Sequence, residues 1–228
     1  MTYHQNISRY ISRLSFSLLL LFACQGIQAQ KNVVIEKDSI PLFRGFQLSF
    51  DLVGPAMLLI DDHGHYEGAF RLNLHDQWFP IVEAGYGKAD TYDVVTEIRY
   101  KTAAPYFRVG IDFNLLRKKH TGNRLFAGLR YAYTSYKVDL ERRDLQDPNW
   151  HWESSIRIED APCSQHWVEG VFGVDAKIAG PLHLGWNVRY KRRIAHKEEV
   201  IGKAWYVPGF GVANDDRIEA NFNVIIDI

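Results

Sequence analysis

Cysteine is scarce: the chain holds Cys24 and Cys163 in 228 residues. So few thiols exclude a small disulfide-stapled scaffold. Long apolar runs are missing too, since no stretch of this sequence reaches the roughly 18 consecutive apolar residues of a membrane-spanning helix. That excludes a helical membrane protein. Neither sign of charge is in surplus, with 27 Lys+Arg against 27 Asp+Glu, so the basic field that a nucleic-acid partner requires is absent. Gly-rich phosphate loops, Cys-x-x-Cys pairs and nucleophile elbows are not found. With 46% apolar and 14% aromatic residues and no low-complexity tract, the chain has the material for a packed core, which excludes disorder. Its length allows one large domain or two small ones.

The N-terminus carries Arg9 and Arg13 without an acidic residue, then the apolar run Leu14 to Cys24, then small and polar residues ending Gln28-Ala29-Gln30. This is the pattern of a secretory signal. Its apolar run is too short to span a bilayer as a helix, which takes about 20 residues. Two processing sites are open. Cleavage after Ala29 leaves a mature chain of net charge −2 whose one cysteine is Cys163. Cleavage before Cys24 would use Leu21-Phe22-Ala23-Cys24 as an approximate lipobox and leave a lipidated cysteine. The expected organisation is a signal over 1–29, a segment at 30–42 and one domain over 43–228.

In that domain the dominant pattern has period two. The clearest case is the C-terminal run, where Ile218, Ala220, Phe222, Val224 and Ile226 share one face and Arg217, Glu219, Asn221, Asn223 and Asp227 the other. Eight strands are predicted, at 43–54, 66–74, 79–87, 105–114, 124–138, 166–178, 182–192 and 216–228. Long and short connectors alternate strictly between them, which is the habit of an all-β, eight-stranded antiparallel up-and-down transmembrane barrel with short periplasmic turns and long outer loops.

Alternation alone does not say which face points inward. Side-chain volume does: Phe46, Phe50, Phe70, Phe107, Phe113, Phe172, Phe222 and Trp186 would crowd a narrow interior, whereas the polar face carries Gly85, Gly87, Gly110, Gly128, Gly173 and Gly185 beside long charged residues. The apolar face is therefore expected to meet lipid. Tyr86, Tyr131, Tyr133, Tyr136 and Tyr190 would form an interfacial girdle.

The signal ending Ala29-Gln30, the stretch Arg44-Gly45-Phe46 and the run Tyr106-Phe107-Arg108-Val109-Gly110-Ile111-Asp112 carry a resemblance. Over about residues 40–228 the chain resembles the small outer-membrane β-barrel proteins of Gram-negative bacteria, and more narrowly a Bacteroidota barrel family described as a domain of unknown function. The resemblance implies an outer-membrane location and no catalytic residue.

Ten charges fall on the inward face: Asp51, Arg71, Glu83, Arg108, Asp112, Arg130, Glu169, Asp175, Arg189 and Glu219. In a confined lumen they must pair, because an unpartnered buried charge is costly, so a salt-bridge plug is expected. Lys191, Arg192, Arg193 and Lys197 cluster at the outer end of the seventh strand, where they suit lipopolysaccharide phosphates. His63-Gly64-His65 behind Asp61-Asp62 does not match a zinc spacing, and no metal or cofactor is expected. His151, Glu153, Asp160, Cys163 and His166 lie in or beside the longest connector without a Ser-His-Asp pattern and read as a solvated loop. The first expectation for function is a non-enzymatic outer-membrane barrel with a charge-paired, plugged lumen, acting as an envelope structural or interaction protein. Its partners would be outer-membrane lipid, lipopolysaccharide and an envelope protein. An outer-membrane enzyme acting on lipid or lipopolysaccharide is the alternative. A small channel comes third, since an eight-stranded lumen is only wide enough for side chains or one small ligand.

Overall fold

The computed structural model describes residues 41–146, 153–197, 204–212 and 214–228. The expected signal, nearly all of the 30–42 segment and His151 lie outside the described residues. The chain divides into units Met1–Ile40 and Pro41–Ile228, and the second holds every described element.

Its elements are β1 (Phe43–Asp51), α1 (Val53–Ile60), β2 (His63–Leu74), β3 (Trp78–Asp93), β4 (Ile98–Asn114), a 3-10 turn (Lys119–Thr121), β5 (Arg124–Gln146), β6 (Glu153–Ala179), β7 (Leu182–Lys197), β8 (Tyr206–Val207), β9 (Gly211–Val212) and β10 (Asp216–Asp227). The fold is mostly β. Eight antiparallel strands are hydrogen-bonded in a closed ring in the order β1-β10-β7-β6-β5-β4-β3-β2, and β8 with β9 forms a separate two-stranded hairpin. Closing the sheet on itself leaves the paired length of each strand without a free edge. No helix among the described residues is long and apolar enough to cross a membrane.

At one end the connectors are short, and a two-residue turn at Gly180-Pro181 is enough to join β6 to β7. At the other end the expected long connectors are shorter than the sequence suggested. β3 and β4 keep pairing out to Asp93↔Ile98, and β5 and β6 out to Gln146↔Glu153. The reason is local: Thr91, Tyr92, Ile98, Tyr100, Val138 and Leu140 are good strand formers, and their neighbours' polarity hid the pairing. The final connector instead turns back into the ring as β8 and β9. Pro208 and Gly209 occupy the centre of a β-turn closed by Phe210 N–H to Val207 O at 3.0 Å, and Gly209 has φ +79°. A type II turn requires positive φ there, which glycine supplies without strain.

The ring is turned out relative to an ordinary globule. Phe107, Val109, Phe172 and Trp186 are exposed, while Glu83, Asp112 and Glu169 are 0% exposed. Inside, charges fill the middle and the short-turn end. An apolar cluster fills the long-loop end, where Tyr206, Val207 and Phe210 of the hairpin pack with Ala89, Tyr100, Tyr106, Tyr136, Cys163 and Trp167. Tyr136 therefore leaves the expected girdle: it shares the inward parity of Ala132 and Thr134 and is buried.

Candidate functional site

The interior is the most distinctive chemical feature. Alternation along each strand aims one side chain in two inward, so Glu67 and Arg71 of β2, Glu83 of β3, Arg108 and Asp112 of β4, Arg130 of β5, Glu169 and Asp175 of β6 and Arg189 of β7 all enter the same space. Glu83 is the hub. It meets Arg189 Nη1 at 3.0 Å, Arg130 Nε at 3.1 Å and Arg108 Nη1 at 3.2 Å. Three guanidinium groups around one carboxylate need further anions, and these are present. Arg130 reaches Asp112 at 2.6 Å, Arg108 reaches Glu169 at 2.9 Å and also binds Glu67, and Arg189 reaches Glu67 at 2.9 Å.

Toward the short turns, Arg71 lies 3.7 Å from Asp112 and 3.8 Å from Asp175. Arg124 pairs with Asp175 and lies over the Phe79 ring at 4.1 Å. Toward the long loops, Glu219 receives Lys191 Nζ at 2.6 Å, and Asp51 accepts the Gly54 N–H at the start of α1. All ten expected interior charges thus line one space. The structure adds Glu67, Arg124 and Lys191, each of which shares parity with an expected neighbour: Arg71, Arg130 and Arg189 respectively. That parity was the available signal.

Lys191 is the correction. Its place in the sequence groups it with Arg192, Arg193 and Lys197 as a phosphate contact, but it is 0% exposed and its ammonium donates to Gly209 O at 2.8 Å. A group enclosed in the ring cannot reach a surface phosphate. Arg192 and Lys197 are exposed, and Arg193 pairs with Asp215.

The remaining candidates separate. His63 stacks edge-on against Trp205, whereas His65 turns toward Asp51 at 3.4 Å. Cys163 is buried in the apolar cluster, while His166 faces outward with Tyr131 Oη at 2.7 Å from its Nδ1. Asp160 pairs with Lys137 at an exposed site. Among the described residues no group of three or more His, Cys, Asp or Glu is placed to hold a metal ion.

At the short-turn end Asp76 accepts from Asn73 Nδ2 at 2.6 Å, meets His120 Nδ1 at 2.7 Å and lies 3.2 Å from Arg44. Burial pulls this carboxyl upward, but the hydrogen bonds from His120 and Asn73 and the Arg44 charge outweigh it and hold Asp76 below the usual carboxylate range.

A family model described as "Domain of unknown function (DUF6048)" matches residues 8–227. No curated protein and no solved structure matches the chain.

Proposed function

The chain belongs to the DUF6048 family, and from that premise we propose that it is a non-enzymatic outer-membrane β-barrel whose plugged interior serves a structural or interaction role in the envelope. One observation carries the reading: large apolar side chains such as Trp186, Phe107 and Phe172 stand exposed around the ring while its interior is packed with paired charges. In water such a continuous apolar band would drive association. In a bilayer it is the surface that the solvent demands, and the closed ring satisfies the strand hydrogen bonds that lipid cannot.

In this reading the short turns face the periplasm and the extended β3–β4 and β5–β6 hairpins project outward, where an envelope partner would meet them. Arg192 and Lys197, with Arg193 beside Asp215, remain the contacts proposed for lipopolysaccharide phosphates. The interior supports a plug over a channel, because Tyr206, Val207 and Phe210 close one end and the Glu83 cluster fills the middle. Cell fractionation tests the reading. The mature chain should enter the detergent-extracted outer membrane and migrate differently on gels when unheated, and recovery as a soluble periplasmic protein would sink the proposal.

A further inference from the structure

The wall of the ring is incomplete at one place. β1 pairs with β10 only from Gln47↔Asp227 to Asp51↔Asn223, and with β2 only as far as Phe50↔Gly68. Its two neighbours continue. β10 runs on from Asn221 back to Asp216 and β2 from Glu67 back to His63, and on the sides that face each other these stretches pair with no strand among the described residues. At this gap the chain turns from β1 into α1, which seats against β2. A Cβ at Gly54 would lie 2.3 Å from His65 O and 2.9 Å from His65 Nε2, and one at Gly64 would lie 2.7 Å from Leu58 Cγ. The first turn of α1 thus rests directly on the backbone and imidazole of His65, an approach that glycine permits.

Three elements converge on this histidine. It is 8% exposed, and its Nε2 is buried without a hydrogen-bond partner. That nitrogen lies 3.4 Å from Asp51 Oδ2, at the end of β1, and 3.9 Å from Glu219 Oε1 of β10. Each carboxylate has one oxygen engaged: Asp51 Oδ2 accepts the Gly54 N–H at 2.7 Å, and Glu219 Oε2 accepts Lys191 Nζ at 2.6 Å. Their other oxygens, Asp51 Oδ1 and Glu219 Oε1, are buried and accept nothing.

The remaining ionisable groups around the imidazole leave it to these two acids. Glu67, on the same strand, is already held by Arg108 and Arg189. Tyr106 of β4 presents its ring edge-on at 6.2 Å and donates to Glu67, and Tyr206 of β8 donates to Gly64 O. Arg217 of β10 opposes a positive charge, and α1 carries no ionisable side chain. A cavity of about 240 Å³ between α1, β2 and β10 is lined by His65 and gives it a route for proton exchange.

We infer that His65 is a proton-operated clasp: protonated, it ties the end of β1 and the start of α1 to β10 across the gap, and neutral, it releases them. The neutral ring has one N–H for two carboxylates, whereas the cation places a positive charge between two negative ones and keeps Nε2 a donor. The tie is therefore present in acid and lost as pH rises through the titration of the imidazole. It is lost again when Asp51 or Glu219 takes a proton. The clasp needs no bilayer and stands apart from the membrane reading.

Hydrogen exchange on the full mature chain folded in detergent micelles tests it, read at the amides of residues 56–61 at pH 5 and pH 8 after correction for intrinsic rates. The opening of α1 should be about tenfold more frequent at pH 8, the factor for one hydrogen bond to a charged group. His63→Gln should keep this response and His65→Gln should abolish it. Asp51→Asn, whose amide oxygen still accepts the Gly54 N–H, should reduce it. Equal opening at the two pH values in the wild-type chain, or an undiminished response in His65→Gln, would overturn the inference. More frequent opening at pH 5 would overturn it too, because Arg217 and not the two carboxylates would then govern the imidazolium. If His65→Gln does not fold, an undiminished response in Asp51→Asn is the refuting result.

Discussion

Arg108 Nη2 donates to the carbonyl of Gly209 at 2.7 Å, fastening the tip of the β8–β9 hairpin to the charged interior. The same carbonyl receives Lys191 Nζ at 2.8 Å. Two cations of the network therefore depend on a backbone oxygen carried in by the last connector, and hairpin and charge cluster form one cooperative unit.

Gly209 is the sensitive point of that unit. Its φ of +79° excludes β-branched residues, and a Cβ there would meet the Tyr106 ring at 2.4 Å. Gly209→Val should unseat the hairpin and uncover Cys163, which packs in the same apolar cluster. With Cys24 replaced by serine, maleimide labelling of Cys163 should rise by about tenfold or more, equivalent to ~1.4 kcal/mol of lost closure. Unchanged labelling would mean that the hairpin does not cover this side chain.

Arg130 bridges Glu83 and Asp112 with 3% of its surface exposed. Removing it takes the nearest cation from Asp112, which keeps only Arg71 at 3.7 Å, and one of three guanidinium groups from Glu83; breaking a buried pair typically costs about 3–5 kcal/mol. Arg157 pairs with Glu159 on the exposed hairpin, where such pairs contribute about 0–1 kcal/mol. Arg130→Ala should therefore lower the temperature at which the folded band disappears on unheated gels far more than Arg157→Ala. Equal shifts would show that the network does not stabilise the ring.

Much of the ring is legible from alternation, because a sheet with one apolar face forces period two on the sequence. Ile218, Phe222 and Val224 mark the outward side of β10 and Asn221 and Asn223 its inward side without further information. Elements that obey no period are not legible in this way. The apolar turn Val207-Pro208-Gly209-Phe210 has the composition of a loop, although so many apolar residues around a Pro-Gly turn need cover. The end of β1 is hidden for another reason: the chain turns into α1 directly after Asp51, whose carboxylate accepts the Gly54 N–H, a contact between neighbours that strand periodicity does not register. Lys191 opens a basic run that draws it toward the surface group, and only the inward parity it shares with Arg189 marks it as interior.

Acid should loosen the short-turn end first. The folded pKa of Asp76 is depressed, so its contribution is fully present above the unfolded carboxylate value near 3.8 and is lost as pH falls through the lower folded value. Hydrogen exchange at the amides of residues 75–77 should be insensitive to this group between pH 7 and about 5, after correction for intrinsic rates, and accelerate below about 4. Asp76→Asn should abolish the acid-dependent step. A step of equal size in that variant would assign it to another group.

The interior also sets what the ring can conduct. Glu83 and its three arginines lie below the hairpin and are held by strands on opposite sides of the ring, so they do not leave with it. Deleting 204–212 should accordingly expose Cys163 while leaving the middle of the lumen filled. In planar bilayers the wild-type chain should show no large, stable conductance, and the deletion should add only small events, because an eight-stranded ring is just wide enough for side chains. Glu83→Gln combined with the deletion keeps the side-chain volume but leaves Arg108, Arg130 and Arg189 less neutralised, so any current that appears should favour anions. Large, steady currents through the wild-type chain would replace the plug with a channel. Cation-selective events in the double variant would mean that the arginines do not govern the lumen.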